Sequence, residues 1–217
     1  MNTHQLSLNE KLTLACNRIL ADRAPWSRQL SSCQIHDRVA IQAAREGDLD
    51  VLNAVIDNGA SHFNRYVIEA IPGNHRHIVE AMLDKGIDNY EGVASVAARY
   101  GQYDLVEKML PLCRVDYDHL AAQAARGGHL RIVDKMIERG ATNYEWIAEV
   151  AARKGHIDIV TLAMDKGATN YNKIAKVAAG KGHMDIVFLA LYKGASNHDK
   201  ITEAAREARI FLIIGCD

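Results

Sequence analysis

Four histidines, His75, His129, His156 and His183, each follow a regularly placed asparagine or glycine, and such a row invites a metal-binding reading. The last three stand 27 residues apart, which assigns them to successive structural units. Neighbouring helical units are separated by about 10 Å, whereas each ligand of a zinc ion lies about 2 Å from the metal. The row therefore predicts no shared metal site, and each histidine is expected to bond backbone at a helix start. His77 stands two residues from His75 and so points to a different side of the same helix.

A second grouping, Asp116, Asp118 and His119, sets two carboxylates beside an imidazole. That chemistry can move a proton when it is enclosed in a partly dry, concave site. Its position at a predicted helix start gives the carboxylates a simpler use, because acidic groups in a first turn complement the positive end of the helix dipole. No GxSxG, HExxH, Walker or dinucleotide glycine motif occurs in the chain. The expectation is a protein with no catalytic residues, no metal and no cofactor.

These residues all belong to a longer pattern. Gly101, Gly128, Gly155 and Gly182 recur every 27 residues, Gly47 lies in the same register, and Asn74 fills the one remaining place. Phe63, Tyr90, Tyr117, Tyr144, Tyr171 and His198 form a second column. Alanine pairs such as Ala151-Ala152 and apolar pairs such as Ile159-Val160 keep the same spacing. A period between about 20 and 50 residues marks a stacked array in which no single unit buries its own apolar face. The units run at 33–59, 60–86, 87–113, 114–140, 141–167 and 168–194, between an N-terminal cap at 1–32 and a C-terminal cap at 195–217.

Within residues 142–167, Tyr144, Ile147, Ala148, Ala151 and Ala152 follow the spacing of one helix face. Thr142 with Glu145 three residues on predicts a capping box. Similar pairs occur at Asp88 and Glu91, Thr169 and Asn172, Ser196 and Asp199, and Ser61 and Asn64. Gly155 suits the left-handed residue that ends such a helix. A second helix over about 156–166 then turns Ile159, Val160, Ala163 and Met164 inward, and Gly167 closes it. Pro72 and Pro111 interrupt the second and third units, because proline cannot continue a helix.

The phrases AARKGHIDIV, AAGKGHMDIV and AARGGHLRIV, with the closing DKGAT and ERGAT, resemble the helical core of ankyrin-repeat proteins over about residues 38–206. The family's unit is about 33 residues long and carries a TPLH turn and a finger-like hairpin that have no counterpart here. In style the short units resemble divergent ankyrin arrays of large DNA viruses of protists. The fold class implied is an all-α, ankyrin-like helix-turn-helix solenoid with shortened or absent β-hairpin fingers.

Composition narrows the partners. Lys and Arg total 26 against 27 acidic residues, a balance that argues against the basic stripe needed for nucleic acid. No apolar run approaches the about 18 residues needed to span a bilayer, and the N-terminus lacks signal-peptide order. Cys16, Cys33, Cys113 and Cys216 are dispersed, so a reducing, cytoplasmic setting is expected, the host cytoplasm if the chain is viral.

At the N-terminus, LNEKLTLACNRILAD reads as an amphipathic helix with Leu8, Leu12, Ala15, Cys16 and Ile19 on one side, followed by a segment holding Pro25 and a core Trp26. At the other end Phe188 and Tyr192 replace polar residues of earlier units and are expected to pack with the apolar tail, Ile210 to Ile214. A monomer follows from that arrangement, with a dimer through the tail as the alternative.

The partner is expected to be another protein. The columns one, two and five positions after the aromatic vary from unit to unit, which marks a recognition surface on the first helices. Its expected residues are Arg65, His119, Trp146, Glu149, Lys173, Lys176 and Lys200. Trp146 stands out, since tryptophan is enriched among interface hot spots. The resemblance also implies two alternatives. One is a substrate-recruiting adaptor of a ubiquitin ligase, for which only 1–31 and 207–217 remain as the ligase-binding element; the other is a minor viral structural or assembly component.

Overall fold

The structure is a computed structural model that describes residues 7–21 and 32–207. It divides into two compact units, Met1–Val93 and Ala94–Asp217. The first holds α1 (Leu8–Ala21), α2 (Ser32–Glu46), α3 (Leu49–Asp57), α4 (Phe63–Ala70) and α5 (Arg76–Asp84). The division falls within α6 (Tyr90–Arg99). The second holds α7 (Tyr103–Met109), α8 (Tyr117–Gly127), α9 (Leu130–Glu138), α10 (Tyr144–Lys154), α11 (Ile157–Lys166), α12 (Tyr171–Ala179), α13 (Met184–Lys193) and α14 (His198–Glu207). No strand occurs among the described residues, so the hairpin fingers are absent there.

Each unit is an all-α stack of helix pairs. In the second, α8 packs on α9, α10 on α11 and α12 on α13, while the first helices α8, α10, α12 and α14 pack in sequence on one another. Ala148, Ala151, Ala152, Ala175, Ala178 and Ala179 are all fully buried, and their small side chains let helix axes approach closely. The second helices supply the larger payload through Ile132, Val133, Met136, Ile159, Val160, Ile186 and Val187, all buried. Each such aliphatic side chain contributes about 1.5–3 kcal/mol relative to exposure.

The loops follow the sequence pattern. Gly155 ends α10 at φ 82°, a conformation that a Cβ disfavours. Asn74 takes the equivalent place at φ 56°, the only positive φ outside glycine among the described residues, and asparagine is among the residues that tolerate that region. Pro72 follows the end of α4 in a turn, and Pro111 lies in a 3-10 turn, Leu110–Leu112, directly after α7.

Several expectations need correction. The capping boxes written across 142–145 and its equivalents do not form. Asn143 caps α10 instead, its Oδ1 accepting the Trp146 N–H at 3.1 Å, and Asn170 caps α12 in the same way. The chain enters each helix one residue later than the Thr-Glu pair implied. A true two-way box is found in α1, where Ser7 donates N–H and hydroxyl to Glu10 at 2.7 Å each and the Glu10 N–H donates back to the Ser7 hydroxyl oxygen at 3.4 Å. The Ser7 hydroxyl and then its N–H hold the Glu10 carboxyl below the usual carboxylate range. On α1, Leu12 and Ala15 are half-buried as expected, but Leu8 is 43% exposed because the helix begins there, beyond the body it packs on. The side chains of Cys16 and Ile19, the segment with Pro25 and Trp26, and the tail from Ile210 to Ile214 lie outside the described residues. Phe188 and Tyr192 on α13 are 60% and 88% exposed.

Candidate functional site

In the second unit the starts of α10, α12 and α14 are each completed by the module before. Asp118 Oδ1 accepts the N–H groups of Thr142 and Asn143, both at 2.7 Å. Glu145 Oε1 accepts those of Thr169 and Asn170 at 2.7 and 3.1 Å. Asn172 Oδ1 accepts those of Ser196 and Asn197, both at 2.8 Å. In the first unit Asn64 Oδ1 does the same for Asp88 and Asn89 at 3.2 and 3.1 Å. The column directly after the aromatic is therefore a clamp rather than a freely variable recognition position. Backbone N–H groups at a turn must find an acceptor, and one side-chain oxygen here takes two of them.

This arrangement also decides the Asp116, Asp118 and His119 grouping. Asp116 accepts the His119 N–H at 3.0 Å as the cap of α8, and Asp118 is held by its two amides. The His119 ring turns instead toward Trp146, with ring centroids 6.1 Å apart. The three groups do not converge on one point where a proton could be passed.

The histidine column also bonds across modules. His75 Nε2 lies 2.9 Å from the Arg45 carbonyl and His129 Nε2 lies 3.1 Å from that of Arg99. The bond thus goes to the preceding module, and no side-chain cap forms on the histidine's own helix. The imidazole of His183 sits so close to Gly155 that an added Cβ would stand 2.7 Å from it. The glycine column serves the ring of the next module as well as the turn of its own.

The outward positions that remain form one face of the second unit. Trp146 and Glu149 project from α10, Lys173 and Lys176 from α12, and Lys200 from α14. Between α10 and α12 lies a cleft of about 270 Å³ lined by Asn143, Glu145, Trp146, Glu149, Asn170, Lys173 and Ile174. Trp146 is half-buried in its wall. Glu149 is 19% exposed and bridges two cations, Arg153 at 2.9 Å and Lys173 at 2.7 Å. Lys176 and Lys200 are exposed. Ala122, in the column five after the aromatic, is buried and adds nothing to this face.

Arg65 belongs to the first unit. It lies on α4 at 3.5 Å from Glu69, which also binds Arg45 at 2.7 Å. A cleft of about 410 Å³ beside it is lined by Ser61, His62, Phe63, Asn64, Arg65, Gly86, Ile87 and Asp88. His62 of this lining also belongs to a cluster that residue spacing does not reveal. Tyr66 is fully buried and donates its hydroxyl to Asp37 Oδ1 at 2.5 Å, while His62 Nδ1 lies 2.9 Å from Asp37 Oδ2. Burial pushes the Asp37 carboxyl up, but the bonds from His62 and Tyr66, the His62 charge and the Ser61 backbone together outweigh it and hold the carboxyl low. The visible signal was Tyr66 standing where other modules carry Val93, Leu120, Ile147, Ile174 and Ile201.

These helix pairs are shared with a solved structure. The ankyrin repeat domain of human ASB11 superposes with a TM-score of 0.52 at 20% sequence identity, over 72% of this chain and 84% of that one. The fold of this protein is the ankyrin-repeat fold. No protein-family model matches the sequence, and no curated protein matches it either.

Proposed function

We propose that the protein is a non-catalytic interaction scaffold that grips a partner protein through the outer face of its first helices, centred on Trp146. The observation that carries this reading is the cleft between α10 and α12, where a half-buried indole stands beside a polar rim of Glu149 and Lys173. An aromatic anchor with a hydrated charged border is the usual anatomy of an interface hot spot. The ankyrin fold supports the reading, since stacked repeats present extended recognition surfaces. So does the use of Asp116 and Asp118 as turn acceptors, which leaves that grouping a structural task.

The test is partner capture by proximity labelling followed by pull-down with purified chain. Trp146→Ala is expected to weaken capture by about tenfold or more, the scale of a hot-spot truncation, while circular dichroism retains the helical spectrum. Undiminished capture by a folded Trp146→Ala chain overturns the reading.

A further inference from the structure

We infer that the stripe Met184, Phe188 and Tyr192 on α13 is the seat of the chain's own segment 210–216, which closes the array at the place of the next module's second helix. The stripe lies on a second helix and Trp146 on a first, so the inference stands or falls apart from the partner-binding reading.

Contacts in the second unit show which way these columns face. The Arg131 guanidinium of α9 lies over the Tyr103 ring of α7, 3.9 Å from its centroid. Arg139, the residue that ends α9, meets Glu107 of α7 at 2.7 Å. Lys193 of α13 meets Asp165 of α11 at 3.6 Å. In each case a cation of the later module reaches back to the second helix of the earlier one. Counted in steps of 27 residues, Tyr103 corresponds to Met184, Glu107 to Phe188 and Asp165 to Tyr192. The stripe on α13 therefore faces the module that follows.

Its chemistry differs from that of the earlier junctions. The same columns hold Leu130, Asp134 and Glu138 on α9, and Ile157, Thr161 and Asp165 on α11. On α13 all three are apolar or aromatic, and Phe188 and Tyr192 are 60% and 88% exposed. Ring surface stands where a carboxylate or hydroxyl stood before.

The same count identifies the occupant. The chain reads IFLIIGC over 210–216. Ile213 and Ile214 fall 27 residues after Ile186 and Val187, the buried inward pair of α13. Leu212 falls in the column of Arg131, the residue that overlies Tyr103, and is thereby assigned to the Met184 end of the stripe. A segment without a cation matches a stripe without a carboxylate, and both changes fall at one junction. The last repeat of an array must have its apolar end covered, and apolar surface on both sides gains by leaving water. Helix α14 ends at Glu207, and the three residues to Ile210 span up to about 10 Å, the usual distance between neighbouring helix axes.

The experiment uses the full chain and two readouts. Benzoylphenylalanine is placed at Tyr192, where exposure leaves folding undisturbed, and irradiation is expected to cross-link it within one chain to residues 210–216, as located by mass spectrometry. Backbone amides of 210–216 are expected to exchange hydrogen about tenfold more slowly than in a free peptide of that sequence, at a rate independent of chain concentration. The double variant Phe188→Ser, Tyr192→Ser returns them to the free-peptide rate while circular dichroism retains the helical spectrum.

Photoproducts that join two chains assign the stripe to a second copy and overturn the inference. So do the absence of any cross-link to 210–216, exchange at the free-peptide rate in the parent chain, and protection that survives the double variant.

Discussion

The two units use the same register position to join modules, and Asn64 in the first repeats the two-amide clamp of the second, but the junction at Asp37 is loaded differently. In the second unit, Asp118, Glu145 and Asn172 each hold two backbone amides at an exposed turn. In the first unit, Asp37 occupies the equivalent place and takes the Tyr66 hydroxyl, the His62 ring and the Ser61 backbone. Its side chain is 15% exposed, and one of its donors, Tyr66, is wholly buried. A repeat fixes where a junction falls, while the burial and number of donors decide how strong it is. A hydrogen bond to a buried charged acceptor is worth more, and costs more to break, than the same bond in water.

The largest effect is expected from Asp37→Ala, which removes the acceptor of a buried hydroxyl. It is expected to cost about 3 kcal/mol, seen as a lower urea midpoint. A loss no larger than that of Glu145→Ala would show the two junctions to be equivalent. Gly155→Ala is next, at about 2 kcal/mol, since it combines a left-handed backbone with a clash against the His183 ring. Gly140→Ala, at φ 114° with nothing within 4 Å of the added carbon, should cost only the backbone part, about 1 kcal/mol. Glu145→Ala is expected to cost about 1 kcal/mol, the usual value of a turn-end acceptor.

The smallest effect is a pH dependence confined to the first junction. The Asp37 carboxyl is held below its ordinary 3.8, so the unfolded chain binds the proton more readily than the folded one. Its contribution is therefore present above about pH 3.8 and is lost as pH falls through the lower folded value. Urea midpoints measured from pH 5 downward should fall less steeply for Asp37→Asn than for the parent chain. Equal slopes would remove Asp37 from the acid response.

Much of this was legible in the residues because it is local. The glycine and asparagine column, the aromatic that begins each first helix, and the inward pair Ile159-Val160 all act within a few residues of themselves, and all are found where the spacing puts them. What escaped is the chemistry between modules. Spacing pairs Glu145 with Thr142, three residues back, whereas its partners lie 24 and 25 residues ahead. The signal was present: Asp37, Asn64, Glu91, Asp118, Glu145, Asn172 and Asp199 differ in size and charge, yet every one offers an oxygen acceptor. Variation in side-chain type concealed constancy in hydrogen-bonding role. The site was partly legible for the same reason. His119, Trp146, Glu149 and Lys173 are brought together because they share one stack, while Arg65 shares only their column and belongs to the other unit.

The one-way direction of the clamps bears on how such a chain is made. In each clamp the oxygen that takes the turn amides sits in the earlier module and those amides in the later one, so a ribosome releases the acceptor of each junction before the turn that needs it. Growth from the amino end thus always meets a prepared template. A circularly permuted chain that emerges in the opposite order would expose bare turn amides at one seam throughout its synthesis.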